Sequence, residues 1–545
     1  MCIRDRDGDC PAGQLCAANA CGPCASDDQC TGSPRYGAGT ICVAGGCAVG
    51  DCHSNADCGG GICGVDTANT CGNCLNDGQC QSSYGATFMC ETATGHCISN
   101  SCGSVGACSA NPADFCCNST CVPGNCCQTA DCAGLGPTFA CQSNTCAVCP
   151  AATGDQYYVD PVNGSDTAGT GSGTSAACAF KTIKAAVALL GTTAPLNTQI
   201  IVKNTGVVSA GETFPIVPPA NSRIMGESGQ VVIQLAAGQF AFNLTRTNTG
   251  VSGFSIDGLI AGVRSALRGI QAQADPTFVE NVTVKNMTDD GIRAQSGANL
   301  TVGPNVLSTL NGSTTTVKSG LRATGSGRIT VTVPAGAAPT VFSFNTQSGI
   351  NVDATASCSI NGVPGLDGTG TVVSTANDFH GMQISQTPGG SGLVNNVTGF
   401  VSWGNGIPTS SGGSGLRVLA GSKLVLRNSV LLGNLHHGVV VSPNTSANPS
   451  TDISTIDLGS IAGGNGGNIV QTDANPNQDS GICLTLPSPV APAVSQTLQA
   501  RGNIFAGPVD CAVGGTLTKT SSCTNATNLG VTSAVQSIDV ANCTY

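Results

Sequence analysis

Five side chains in the second half of this chain are of types that can do chemistry. Asp289 and Asp290 are adjacent carboxylates, and His380 and His437 each stand directly before a glycine. A carboxylate and an imidazole that share a groove can act as general acid and general base. Trp403, the only tryptophan, offers a flat ring for stacking on a ligand. We therefore take Asp289, Asp290 and His380 as catalytic candidates, and Asp290, His380, Trp403 and His437 as binding candidates.

The same residues also fit purely structural roles. Imidazoles such as His380 and His437 can hydrogen-bond to a turn, and the Asp289–Asp290 pair can lie on a solvated corner. A single tryptophan such as Trp403 is often packed against the protein or placed on a loop. The functional interpretation therefore depends on whether the fold brings these side chains together.

A recurring pattern determines how the candidates are spaced. It consists of a polar residue, a glycine, an apolar residue, any residue, and a small or apolar residue, and it occurs eight times. Successive glycines are 22, 29, 29, 32, 34, 23 and 43 residues apart. They are Gly269, Gly291, Gly320, Gly349, Gly381, Gly415, Gly438 and Gly481. Because Asp290, His380 and His437 all hold the polar position, the fold must place them in one column.

Recurring units with three short strands each are typical of a parallel β-helix, whose coils stack about 4.8 Å apart. We expect each glycine to permit a left-handed or bulged corner. Alternate apolar side chains such as Ile292 and Ala294 should point inward, and asparagines should stack in ladders. The candidate ladder pairs are Asn281 and Asn286, Asn395 and Asn396, and Asn428 and Asn434. An antiparallel β-sandwich also has many short strands, but it does not explain the repeated corner.

The column separates the candidates as well as aligning them. Three pattern units lead from Asp290 to His380, which corresponds to about 14 Å if the coils stack in register. The two carboxyl groups of a glycosidase lie within about 5–10 Å of each other. The polar column therefore predicts an elongated groove suited to a sugar chain, with the carboxylate pair and His380 at separate positions along it.

The segment 157–260 has a recognisable order of features. Tyr157–Asp166 is followed by a Gly/Thr-rich stretch and then by Ala179–Leu190, a short amphipathic helix. Its apolar face consists of Phe180, Ile183, Val187 and Leu190. This order closely resembles the uncharacterised domain that opens many bacterial proteins of the pectin-lyase-like superfamily. The resemblance implies a right-handed parallel β-helix over residues 155–545, a short N-terminal capping helix and an extracellular setting, but no reaction.

The Asp289-Asp290 pair and His380-Gly381 also resemble polygalacturonase-like enzymes, which carry an Asp-Asp pair followed by a His-Gly pair. That family's Asn-x-Asp and Arg-x-Lys motifs are missing, and so is the Trp-Asp-His pattern of pectate lyases. Three functions stay open. The chain could bind or present itself to polysaccharide without catalysis, act as a lyase or glycoside hydrolase on a uronate-type polymer, or serve as a structural spacer.

Cysteines set residues 1–150 apart from the rest of the chain. This region holds 27 of the 33 cysteines, and Cys21–Cys30 recurs as Cys71–Cys80 with the same spacing. Such a repeat predicts an array of small modules held by disulfides, although Cys-x-x-Cys motifs could instead bind zinc. The disulfide candidates, with their pairing open, are Cys21, Cys24, Cys30, Cys71, Cys74, Cys80, Cys511, Cys523 and Cys543.

The Cys-rich region resembles the repeats found ahead of secreted or surface proteins of myxobacteria and their relatives, where they act as stalks or adhesive spacers. Abundant disulfides point to an oxidising compartment. Because Met1–Arg6 lacks the apolar segment of a secretory signal, we expect an extracellular protein whose true N-terminus is missing. Asp5-x-Asp7-Gly-Asp9 hints at a calcium loop but lacks the closing glutamate.

Charge and hydropathy exclude several kinds of partner. Only 9% of residues are charged and the net charge is −11, whereas a nucleic-acid binder needs a basic surface. Residues 1–150 hold 12 acidic and three basic side chains, which gives −9 there. No run of about 18 apolar residues is present. We expect no nucleic acid, no membrane span, and no cofactor or resident metal, and we expect polysaccharide or a cell-surface glycan as the partner.

Overall fold

The computed structural model divides the chain into two compact units, Met1–Val148 and Cys149–Tyr545. We call them the cysteine-rich unit and the β-helix unit. The structure describes residues 10–17, 20–85, 88–91, 94–99, 114–117, 120–127, 131–132, 135, 139–149, 154–166, 173–208, 211–227, 230–313, 318–363, 368–388, 393–408, 412–442, 444, 452–459, 466–470, 477, 480–484, 497–498, 500, 503 and 538–539.

The β-helix unit is formed by three parallel sheets, A, B and C; sheets B and C are continuous in the first coils, and the later coils contribute separate strands to the three sheets. Every strand pair within these sheets is parallel. The predicted right-handed parallel β-helix is thereby confirmed, and the antiparallel sandwich is excluded.

Sheet A has nine strands. They are Phe240–Leu244, Arg268–Ala272, Ile292–Ala294, Leu321–Ala323, Ile350–Ala354, Met382–Gln386, Leu416–Leu419, His437–Ser442 and Ser480–Leu484. Sheets B and C begin as six shared strands. These are Gln156–Val159, Thr193–Val202, Ala220–Gly226, Val231–Gln234, Thr249–Asp257 and Thr277–Lys285.

The two sheets then separate. Sheet B continues with Asn299–Val302, Arg328–Thr332, Ser357–Asn361, Asn395–Thr398, Leu424–Arg427 and Ile456–Asp457. Sheet C continues with Val306–Thr309, Thr340–Ser343, Val372–Thr375, Phe400–Trp403 and Val430–Leu432. Two small antiparallel pairs, Leu259–Ile260 with Val263–Arg264 and Thr497–Leu498 with Ile538–Asp539, complete the unit.

A helix at Ile183–Leu190 packs against the first coil, as the amphipathic pattern predicts. Ile183 is fully buried in the core that fills the cylinder. The Thr182 side chain caps the helix by accepting a hydrogen bond from Ala185 N at 3.1 Å. The helix thus covers apolar side chains of the first coil that would otherwise be exposed at this end of the cylinder.

The pattern glycines do not adopt the left-handed backbone that we expected for them, and the reason for glycine is close approach. A Cβ added at Gly349 would lie 1.9 Å from Ser374 Oγ and 2.9 Å from Gly381 O of the next coil. The left-handed corner lies instead at the end of sheet C. It consists of Leu310, Phe344, Ala376, Gly404 and Gly433, with φ of 57, 53, 52, 63 and 60°.

A ladder of buried asparagines follows this left-handed corner. Each Nδ2 donates to the Oδ1 of the asparagine one coil further on, at 2.9–3.0 Å. The ladder consists of Asn311, Asn345, Asn377, Asn405, Asn434 and Asn477. Of the predicted ladder residues, Asn434 belongs to it, and Asn281 accepts a hydrogen bond from Asn305 elsewhere, at 2.5 Å. The kind of interaction was therefore predicted, but most of its residues were not.

The cysteine-rich unit consists of short hairpins and helical turns. Its helices are Asp27–Thr31 and Asp77–Tyr84, with a 3-10 turn at Asn55–Cys58. The antiparallel hairpins are Leu15–Ala17 with Ala20–Gly22, Thr40–Val43 with Gly46–Val49, Ile62–Cys63 with Cys71–Gly72, Phe88–Glu91 with His96–Ser99, Asp114–Cys117 with Thr120–Pro123, and Phe139–Gln142 with Thr145–Val148.

Disulfides connect these elements in a recurring interlaced order. Four modules share the connection of first to third and second to fourth cysteine. They are Cys24–Cys42 with Cys30–Cys47, Cys52–Cys63 with Cys58–Cys71, Cys74–Cys90 with Cys80–Cys97, and Cys126–Cys141 with Cys132–Cys146. Further bridges are Cys10–Cys21 and Cys117–Cys127.

Every sulfur of the three Cys-x-x-Cys motifs is in a disulfide, including Cys149, which bonds Cys178 in the β-helix unit. These sulfurs are therefore not available as thiolates for zinc. Cys358 is a buried thiol, and burial raises its pKa to about 12. Cys511, Cys523, Cys543 and the acidic segment Asp5–Asp9 lie outside the described residues.

Candidate functional site

Sheet A carries one polar side chain in each of six consecutive coils, two residues after the pattern glycine, and the same position holds Val440 and Cys483 in the last two units. Because the strands pair in register, neighbouring members lie about 4.8 Å apart, and the set extends about 24 Å along the helix axis. We call this set the polar row; it consists of Gln271, Arg293, Arg322, Asn351, Gln383 and Arg417. The matching outer row of sheet C is apolar. Its members are Leu307, Val341, Val373, Val401 and Val430.

Asp289 lies at one end of the polar row, surrounded by cations. Its Oδ2 accepts a hydrogen bond from Arg268 Nε at 2.7 Å, and its Oδ1 lies 3.1 Å from Lys318 Nζ. Arg293 of the row is 3.8 Å from Oδ2. Burial raises the pKa of Asp289, but the attraction of Arg268 and Lys318 outweighs it and leaves the pKa below its usual value. Asp289 is therefore an ionised, paired carboxylate.

Asp290 is fully buried beneath the row. It accepts a hydrogen bond from Ser319 N at 3.1 Å, and Arg322 Nη1 is 3.6 Å from its Oδ2. Burial raises the pKa of Asp290 by more than the attraction of Arg322 lowers it. Asp289 and Asp290 thus have pKa values displaced in opposite directions, which is the arrangement that lets one carboxyl act as an acid beside an ionised neighbour.

Arg322 joins this cluster to the next coils. Its Nε donates to Asp353 Oδ2 at 2.7 Å, and Ser385 Oγ donates to Asp353 Oδ1 at 2.7 Å. Arg293 and Arg322, the first two arginines of the polar row, both lie within ion-pair distance of carboxylates. This end of the row is therefore a network in which four cations contact three carboxyl groups. The cations are Arg268, Arg293, Lys318 and Arg322, and the carboxyl groups are those of Asp289, Asp290 and Asp353.

His380 belongs to a second group, at the other end of the polar row. It is 2% exposed, and its Nδ1 accepts a hydrogen bond from Ser414 N at 3.3 Å. Burial, with the positive field of Arg417 and the neighbouring His436 and His437, lowers the pKa of His380 to about 3. At neutral pH this imidazole is uncharged and is a weak base.

The structure keeps the two groups apart. The sheet A strands containing Ile292, Leu321, Ile350 and Met382 follow one another in register, so Asp290 and His380 are three coils apart, about 14 Å. Asp289 and Asp290 are brought together with basic residues, and His380 is brought together with His437, which is itself 3% exposed.

Trp403 lies around the corner from the polar row, at the end of a sheet C strand. Its side chain is 55% exposed, and its register partner one coil earlier is Thr375. Phe344, at the left-handed corner two coils earlier, is 57% exposed. Two aromatic rings are therefore accessible along this edge.

The polar row itself was missed by sequence reasoning, although a signal was present. We read the position two residues after each pattern glycine as occupied by any residue. In six consecutive units it holds only glutamine, arginine or asparagine. A search of this position for polar side chains that repeat without interruption would have found the row.

Comparisons with known proteins give a distant structural likeness. No protein-family model matches the chain, and no curated protein matches it. Similar solved structures include the A-modules of the Azotobacter vinelandii mannuronan C-5 epimerases AlgE6 and AlgE4, both 15% identical. The alignments cover 58% of this chain and 86% of the AlgE6 module with a TM-score of 0.32, and 57% and 91% for AlgE4 with a TM-score of 0.33. Membership of the uncharacterised opening domain stays a prediction.

A search of the described residues for a helix long and apolar enough to cross a membrane finds none.

Proposed function

We propose that the β-helix unit binds a polysaccharide along the polar row without chemically altering it. The observation that carries this proposal is the run of polar side chains over six coils, of which Arg293, Arg322, Gln383 and Arg417 are partly exposed and Gln271 and Asn351 are buried. The spacing of about 4.8 Å between coils is comparable with the length of one sugar unit, so the partly exposed members can offer hydrogen bonds to the sugars of an extended chain. In this proposal Trp403 stacks on a further sugar around the corner.

Support for a non-catalytic role comes from the state of the candidate catalytic groups. Asp289 is held by Arg268 and Lys318, and Asp290 is fully buried. His380 is buried and lies about 14 Å from Asp290. We assign Asp290, His380 and His437 a structural role. They lie beneath the polar row and stabilise its strands and its charged side chains.

A lyase or hydrolase acting on a uronate-type polymer is the second candidate. The opposite pKa displacements of Asp289 and Asp290 favour it, because they would supply an acid beside an ionised carboxylate. Arg322 and Lys318 next to this pair could neutralise a substrate carboxylate. The disulfides of the cysteine-rich unit support an extracellular or cell-surface location for either function.

Binding of the complete chain to a glycan panel tests the leading proposal. The variant Gln383→Ala removes a partly exposed member of the row, and Thr330→Ala, at a partly exposed position on sheet B, is the matched control. We expect the first variant to weaken binding at least tenfold and the second to leave it unchanged. Equal binding by both variants would refute the proposed surface.

The same panel separates binding from catalysis. Glycan hits are incubated with wild-type protein, Asp290→Asn and His380→Ala, and reducing ends and unsaturated products are measured. Intact polymer in every sample is the expected result. Depolymerisation by wild-type protein that Asp290→Asn abolishes would replace the leading proposal by the enzymatic one.

A further inference from the structure

The polar row is charged unevenly. Arg293 and Arg322 each lie within 4 Å of an aspartate oxygen. Arg417, three coils beyond Arg322, has no carboxylate at that distance among the residues described. The arginines at one end of the row are therefore paired with carboxylates of the protein, and Arg417 at the other end is not paired with any carboxylate that the structure describes.

The surroundings of Arg417 also leave hydrogen-bonding groups unused. Arg417 Nε and Ser414 Oγ are both buried and without a hydrogen-bond partner in the described part of the chain, and they lie in the same coil, three residues apart. A buried polar group without a partner costs free energy, and an uncompensated charge costs more. A fold that maintains both in one coil has the properties of a binding site that a ligand completes.

The neighbouring coils do not supply the missing negative charge. His380 lies one coil before Ser414 and His437 one coil after it, and together with His436 they share the electrostatic environment of Arg417. Imidazoles are neutral or positive, so none of them can balance a guanidinium. An incoming acidic group would meet a positive field and a planar donor suited to two parallel hydrogen bonds.

We propose that Arg417 and Ser414 form a subsite for an acidic oxygen group, a carboxylate or sulfate ester, carried by the bound glycan. This inference rests on the proposed function and adds that the ligand is anionic at one fixed position. In this arrangement the guanidinium binds two oxygens of the acidic group, and Ser414 Oγ donates a hydrogen bond to one of them. At the Asp289 end the arginines of the row are already paired with carboxylates of the protein, so the proposal requires no acidic group on the sugars there.

Binding of an acidic oligosaccharide and of its neutral methyl ester by the complete chain tests the subsite. We expect wild-type protein to prefer the acid about 10–100-fold, as one charge-assisted bidentate contact allows. Arg417→Gln should bind acid and ester equally. Arg417→Lys should recover part of the preference, because it restores the charge but not the planar pair of donors. The control Arg328→Gln removes an exposed cation from sheet B and should keep the full preference.

Failure of the Arg417 subsite and failure of the proposed glycan binding would give different results. Equal binding of acid and ester by wild-type protein would overturn the subsite and leave glycan binding intact. A preference for the acid that Arg328→Gln and Arg417→Gln reduce equally would also overturn it, because net charge would then be the cause. Because Arg417 makes no ion pair among the described residues and its unpaired charge costs free energy, Arg417→Gln should not lower the unfolding temperature.

Titration with sodium sulfate and sodium phosphate separates a glycan-borne group from a free anion. The subsite predicts weak competition by either salt against the acidic oligosaccharide in wild-type protein and none in Arg417→Gln. Binding of a free anion at Arg417 with no binding of any glycan would overturn the glycan-borne assignment together with the proposed function.

Discussion

Replacement of Asn377 by alanine should weaken the β-helix by about 3–5 kcal/mol. Its Nδ2 donates to Ser374 Oγ at 3.0 Å, Phe342 O at 3.1 Å and Asn405 Oδ1 at 2.9 Å. Its Oδ1 accepts from the backbone N and the Nδ2 of Asn345, at 3.1 and 2.9 Å. The two amide hydrogens are shared among three acceptors, so about four hydrogen bonds are lost at roughly 1 kcal/mol each, and buried partners left unpaired keep the total at about 3–5 kcal/mol.

Position within the ladder provides a graded comparison. Asn311 at the first rung makes three side-chain hydrogen bonds, to Ser308 Oγ, Asn345 Oδ1 and Met287 N. Asn311→Ala should therefore cost less than Asn377→Ala, about 2–3 kcal/mol. Asn396→Ala, at an exposed position on sheet B, should cost less than about 0.5 kcal/mol.

Unfolding temperature and amide hydrogen exchange measure these effects. We expect Asn377→Ala to lower the unfolding temperature by roughly 5 °C, because large domains shift by only one to two degrees per kcal/mol. Faster exchange should be concentrated in the coils on either side of residue 377. The reasoning fails if Asn377→Ala is no more destabilising than Asn396→Ala, or if Asn311→Ala is the most destabilising of the three.

The remaining predictions concern the capping helix, the glycine column and the exposed tryptophan. Burial raises the pKa of Glu212, whose Oε2 accepts a hydrogen bond from Lys184 N at 3.2 Å, from 4.5 to about 7. The contribution of this group to the free energy of unfolding is full below about pH 4.5 and is lost as the pH rises through about 7, so unfolding temperatures should fall between pH 5 and pH 8 by an amount equivalent to at most roughly 3 kcal/mol. Glu212→Gln should remove most of this pH dependence. Gly349→Ala should destabilise the fold by about 1–3 kcal/mol, because its Cβ would meet Ser374 Oγ at 1.9 Å. Gly433→Ala should cost about 1 kcal/mol or less, because it lies at an open left-handed corner that Leu310, Phe344 and Ala376 already occupy in other coils. Equal unfolding temperatures for the two variants would contradict this reasoning. Trp403→Ala should leave the unfolding temperature unchanged and weaken glycan binding about tenfold. In wild-type protein, bound glycan should quench the fluorescence of this single tryptophan, and unchanged fluorescence at saturation would exclude stacking on Trp403.

The fold was predictable because one residue type, glycine, recurs once in each repeat. Gly291 and Gly349 stand where the backbones of successive coils approach closely, so the spacing of the glycines follows the coils. The cause assigned to them was wrong, because sequence does not distinguish a glycine needed for backbone conformation from one needed for space. The capping helix was predictable for a similar reason, since its apolar face is complete within Ala179–Leu190.

The asparagine ladder escaped prediction because loops interrupt its period. Asn345 and Asn377 stand four residues before the pattern glycine, but Asn311 and Asn405 stand nine and ten residues before it. These two units therefore have five and six more residues between the asparagine and the glycine than the units of Asn345 and Asn377. A ladder read by fixed spacing is therefore lost at these coils, although its hydrogen bonds continue without interruption.

The sequence predicted that the candidate site residues align in one column, but it did not predict that they are buried. Asp290 and His380 align as the pattern indicates, about 14 Å apart. Both are buried, because the polar position before the glycine turns into the wall of the cylinder. The accessible position lies three residues later, at Arg293 and Arg417, and sequence alone does not show which of two alternating positions faces outward.

The interlaced bridges of the cysteine-rich unit have a consequence for biosynthesis. Each described bridge within that unit joins cysteines only 10–18 residues apart. In an oxidising compartment a module can therefore close with its own cysteines alone. None of the described bridges of the cysteine-rich unit needs a cysteine of the β-helix unit, so its modules can be locked independently of the winding of the long β-helix.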